Sequence, residues 1–117
     1  LMEFLKNFYN YDVSGGKLVS EGVVEHNWNV AVGASSIGTV ACVDCWIEDF
    51  RKNLPKNTVP TLILHGDAVR ILPPDATSRR QARMIKNVTL VELPGGPHGV
   101  LWTHADRINS ELVKFLA

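Results

Sequence analysis

The stretches HGDAVRILP (residues 65–73) and PGGPHGVLW (residues 94–102) decide the fold, because each stands directly behind a short apolar run. TVPTLIL (58–64) precedes the first and VTLVEL (88–93) the second. Nearly continuous apolar runs of this length, bounded by Pro and Gly, are what a strand covered on both faces requires. Pro60 lies near the start of its run, where a missing N–H disturbs the ladder least. Asp75 to Ile85 reads as a helix between the strands and Thr103 to Leu116 as a closing helix, with Ala105, Ile108, Leu112 and Phe115 on one face. Thr103 with Asp106 has the form of a capping box. Residues 54–117 are therefore β-α-β-α. A strand-helix-strand unit of this spacing crosses over right-handed and leaves its strands parallel, so both glycine-rich loops leave the same sheet edge. Adjacent strands lie about 5 Å apart, which alone brings Asp67 and His98 near each other.

Outward from this core the period changes. Residues 1–53 read as helical: Phe4, Leu5 and Phe8 share a face, Tyr11 to Gly16 breaks it, and Val23, Val24, Trp28 and Val32 recur at helical spacing after Ser20, a residue able to cap. Gly33 to Gly38 interrupts, and Val40, Val43, Ile47 and Phe50 suggest a further helix. The composition shifts near Asn53-Leu54-Pro55, which divides the chain into 1–53 and 54–117.

The 117 residues fit one small α/β domain, and 45% hydrophobic with 21% charged residues is a globular balance. Twelve basic and twelve acidic side chains cancel, so no bulk field attracts nucleic acid or an anionic membrane. Arg79, Arg80, Arg83 and Lys86 fall on one expected helix and read as a solvated face. No apolar run is long enough to span a bilayer, and LMEFLKNFYN has no signal-type core, which makes a cytoplasmic protein the expectation. Leu1 ahead of Met2 is compatible with a tag remnant or a piece of something longer. Cys42 and Cys45 form CVDC inside an apolar helical stretch, without a second pair to complete a zinc site, and read as two semi-buried thiols.

Two parallel strands leave unpaired edges and make a marginal sheet. An oligomer whose sheet continues between subunits, or a complementary N-terminal fragment, is the expected partner.

Five motifs carry a family resemblance: FLKNFYN (4–10), NWNVAVGAS (27–35), TLILHGDA (61–68), ILPPDAT (71–77) and GGPHGVLWTHAD (95–106). From Phe4 to Ala117 the chain resembles the C-terminal half of the α/β-hydrolase superfamily, in the cofactor-free chloroperoxidase and arylesterase group. The resemblance implies a truncated α/β-hydrolase fold, with 1–53 as a helical cap-like segment. It also implies an ester or carboxylic acid substrate, hydrolysis through an acyl-enzyme or perhydrolysis with hydrogen peroxide, and no cofactor or metal.

By position in its motif, His98 matches the family's triad histidine. The triad acid falls on position 69, where this chain has Val69. Asp67 is the loop's remaining carboxylate; it is a candidate catalytic group with His98, beside the reading in which it satisfies backbone N–H groups of its own loop. A comparable triad deprived of its orienting acid loses about 10⁴ in turnover. The family's GxSxG elbow belongs to the preceding half of the fold. Ala34 to Gly38 reads as AxSxG with Ser36 in the nucleophile position, but no strand precedes it and a helix-starting turn accounts for the same residues. His65, Asp67, His98 and His104 form a metal alternative, without a helical pair to fix its geometry. A weak esterase or perhydrolase is the first expectation; a non-catalytic, self-associating fragment or half of a split hydrolase is the second.

Overall fold

The computed structural model describes residues 1–117 and consists of helices around a two-stranded parallel sheet. The strands are β1 (Thr61–Gly66) and β2 (Val88–Leu93), in the expected parallel sense, with Thr61 opposite Val88 and Gly66 opposite Leu93. Between them the chain forms a 3₁₀ turn over Pro74–Ala76 and a helix over Ser78–Ala82. The expected single helix over 75–85 is thus divided at Thr77, whose φ of −125° and ψ of −95° are not helical. Arg79 in this segment is paired with both Glu92 of β2 (2.7 Å) and Asp75 (3.0 Å), while Arg80, Arg83 and Lys86 are exposed.

Ahead of the sheet lie α1 (Met2–Phe8), α2 (Tyr11–Ser14), α3 (Glu21–Val32) and α4 (Ser36–Val43), then 3₁₀ turns over Asp44–Ile47 and Arg51–Lys56. The expected boundary at 53/54 falls inside the second turn, which Pro55 occupies. Ser20 stands where a cap was expected but makes no side-chain cap bond; Ser35 does, accepting from the Gly38 N–H at 3.1 Å. The closing helix, α7 (Ala105–Leu116), follows a short α6 (Val100–Thr103). Its N-cap is His104, so Thr103 and Asp106 do not form the capping box, and Thr103 Oγ1 turns to His104 Nδ1 at 2.7 Å. The α6 turn takes up residues 100–103, which moves the start of the closing helix to Ala105.

Burial is divided between two small clusters. Leu5, Tyr9, Val19 and Val24 join α1 to α3, and Leu93, Val100 and Ile108 join β2 to α6 and α7. Val69 and Ile85 are buried outside both clusters, but many other apolar side chains stand in solvent: Ile37 is 83% exposed, Trp46 79% and Ile47 85%, and Leu112, Val113, Phe115 and Leu116 are exposed on α7. Cys42 and Cys45 are exposed as well, contrary to the semi-buried expectation, because nothing packs over α4. No single helix is long and apolar enough to cross a membrane.

Candidate functional site

Both loops leave the C-terminal ends of β1 and β2 and are stitched together by backbone. The Asp67 N–H donates to Leu93 O (3.1 Å) and the Ala68 N–H to Gly96 O (3.0 Å), while the Gly96 N–H to Leu93 O bond (2.9 Å) closes the turn within the second loop. The Asp67 carboxylate adds a side-chain tie, accepting from the Gly95 N–H at 2.7 Å. Gly95 adopts φ +69°, a left-handed conformation that glycine takes without a Cβ penalty, and this turns its N–H toward Asp67.

Asp67 therefore serves the loop. Two residues short of the acid slot, it meets the backbone of the opposite loop at Gly95, which fits the reading in which it satisfies loop N–H groups. Asp67→Ala is expected to cost about 1 kcal/mol by releasing the Gly95 N–H, whereas Asp67→Asn keeps an acceptor and stays near wild type; urea midpoints measure both.

His98 is half-buried, with its ring edge-on to Phe8 at 4.7 Å between centroids and 81° between planes. Desolvation by burial, followed by the neighbouring His65, holds its pKa below the ordinary histidine value of 6.5. Its imidazole is therefore neutral at pH 7, the form that can accept a proton from a nucleophile. Because the folded-state pKa is depressed, the associated stability is complete above pH 6.5 and declines as pH falls from there toward the folded value. A proton NMR titration of the His98 ring should give a midpoint below 6.5, rising when His65 is replaced by Gln.

The other histidines face elsewhere. The His65 Nε2–H donates to Leu72 O at 3.1 Å, and the His104 Nε2–H donates to Pro94 O at 3.2 Å while its Nδ1 accepts from Thr103. With Asp67 on Gly95, the four metal candidates are directed to four separate protein partners or neighbours, and no three such groups gather into a ligand set. Ser36 opens α4 beside the Ser35 cap, exposed, with no strand in front of it: the AxSxG match is a helix start. Val69, in the acid slot, is buried at 6% exposure.

The reading from sequence missed the elbow between α1 and α2. Phe8 O accepts the Gly99 N–H at 3.0 Å, Asn10 Nδ2 donates to Ala68 O at 2.9 Å, and Asp12 pairs with Arg70 at 2.9 Å. One elbow thus grips both loops. Asn10 sits at φ 52°, a conformation that asparagine tolerates better than most residues, and this was the available signal. A surface hollow lined by Ile47, Phe50, Leu54, Arg80 and Met84 includes neither His98 nor Asp67.

No family model matches the chain. Over 113 residues it is 51% identical to a putative non-heme chloroperoxidase of Synechocystis sp., covering 97% of this chain and 41% of that protein. The crystal structure of a bromoperoxidase from Bacillus anthracis superposes with a TM-score of 0.90 at 39% identity, covering 98% of this chain and 42% of that one. The chain has the fold of the C-terminal part of an α/β-hydrolase, and it resembles the corresponding two-fifths of non-heme chloroperoxidases. A bifunctional esterase/perhydrolase of Acinetobacter calcoaceticus is 36% identical over 110 residues, covering 93% of this chain and 40% of that protein. The chain thus spans about two-fifths of the length of the curated relatives it matches. Within an α/β-hydrolase, loops behind parallel strands are where catalytic side chains are carried, and the elbow formed by Phe8, Asn10 and Asp12 is the part of this chain that fixes two of them.

Proposed function

We propose that this chain provides the general base, His98, of an ester hydrolase or perhydrolase site whose nucleophilic serine lies outside these 117 residues. The observation that carries this reading is a half-buried imidazole with a lowered pKa, projecting from a Gly-Gly-Pro loop at the shared sheet edge and braced by Phe8. The esterase and haloperoxidase descriptions of the relatives supply the substrate class: small carboxylic esters, or carboxylic acids with hydrogen peroxide. A serine hydroxyl would pass its proton to His98 as it attacks the carbonyl, and His98 would return it to the leaving alcohol. Val69 gives this imidazole no carboxylate to orient it, so the chain's own turnover is weak.

The exposed apolar surface and the two free sheet edges support a partner that continues the sheet: a further copy, or a complementary polypeptide bearing the remaining three-fifths of the fold. The test is hydrolysis of an activated ester by the chain, with and without such a complement. Activity lost in His98→Ala and kept in Ser36→Ala supports the reading; activity lost in Ser36→Ala but kept in His98→Ala overturns it. Buried Val69 favours a second reading, a non-catalytic self-associating segment, which predicts no difference between wild type and His98→Ala under either condition.

A further inference from the structure

The CVDC motif is the one sequence signal that the hydrolase reading leaves unused. Cys42 lies in the last turn of α4 and Cys45 in the 3₁₀ turn that continues it, and both thiols are exposed. The two residues between them are right-handed helical: Val43 has φ −63° and ψ −34°, and Asp44 has φ −60° and ψ −29°. With that backbone the cysteines are one turn apart on one face, and their Cα atoms are about 5 Å apart by helix geometry. This is inside the roughly 4.4–6.8 Å range that a disulfide accepts. Passing from α to 3₁₀ geometry helps further, because side chains at i and i+3 eclipse in the tighter helix.

Packing does not oppose the small adjustments of closure. Neither α4 nor the Asp44–Ile47 turn contains a buried residue, so the side chains can change rotamer without disturbing a core.

We propose that Cys42 and Cys45 form an oxidation site, a vicinal dithiol that hydroperoxides convert reversibly to an intrachain disulfide. One thiolate attacks the O–O bond, giving a sulfenic acid and, with hydrogen peroxide, one water. The second thiolate then attacks that sulfur, the S–S bond forms, and the hydroxyl leaves as a second water. The two sulfurs together give up two electrons to the peroxide, and an external dithiol returns them.

The test treats the 117-residue chain with hydrogen peroxide and reads intact mass and alkylation under non-reducing conditions. The expected product is a monomer lighter by two hydrogens, with neither cysteine alkylatable, restored fully by dithiothreitol. Cys42→Ser and Cys45→Ser, both at exposed positions, should each lose that product and yield an oxygen-adducted thiol or a linked dimer instead. Wild-type chain that gains oxygen separately on each sulfur, that forms only dimers, or that keeps both thiols alkylatable while free cysteine is consumed, overturns the proposal.

Discussion

Gly66→Ala should cost the chain about 3 kcal/mol, enough to leave a fold this sparsely buried largely unfolded. A Cβ at this position would lie 2.1 Å from Gly96 O, 2.4 Å from Gly96 C and 2.5 Å from Pro97 O. All three are backbone atoms of the loop that presents His98, and no rotamer change relieves the overlap. The loops would have to separate, and with them the Ala68 N–H bond to Gly96 O and the Asp67 bond to Gly95. Gly95→Ala is the matched control: it also adds one methyl, but nothing lies within 4 Å and only the left-handed backbone objects, at about 1 kcal/mol. Thermal or urea unfolding followed by circular dichroism separates the two, and equal losses would show that contact between the loops is not what Gly66 protects.

Val69→Asp, assayed with a complement carrying an elbow serine, is expected to raise ester turnover by up to about 10⁴, the factor by which a triad depends on its acid. The substitution has two opposed effects. Val69 is buried, so its replacement forfeits apolar burial of roughly 1.5–3 kcal/mol and places a carboxylate where solvation is poor. The same poor solvation strengthens any charge-assisted bond from the His98 ring, and raises the His98 pKa from its depressed value. A gain in turnover with an upward shift of the His98 midpoint establishes position 69 as the orienting site. Unchanged turnover in a folded variant would mean that His98 does not act through that position. Asp67→Ala should not alter the outcome, since that carboxylate is engaged with Gly95.

The sheet and the convergence of its two loops were legible in the sequence because the apolar runs ahead of His65 and Pro94 are short, dense and punctuated by Gly and Pro. The β2 bounds, Val88–Leu93, match the run itself. Helix ends were less so. Thr103 and Asp106 have capping-box spacing, yet the separate α6 turn moves the cap to His104, and Ser20 has the right chemistry without making the bond. The thiols of CVDC looked semi-buried because their neighbours are apolar, and pattern alone does not say whether anything covers such a helix. At the site, His98 was readable from its loop, whereas the roles of Phe8 and Asn10 were not, since those bonds span most of the chain and leave no local pattern. Asp67 could be named but its direction could not, because it depends on where the opposite loop places one N–H.

The elbow between α1 and α2 has a consequence for the order of synthesis. Asn10 and Asp12 each close on a partner 58 residues downstream, and Phe8 on a residue still further along. A growing chain can coil these helices and pack α1 on α3 early, but the elbow's bonds to the two loops must wait until residues 68–99 have been made, and contacts of such long reach slow folding. Throughout that interval Phe8 still lacks its His98 and Gly99 partners, a window in which a chaperone would have the most to shield.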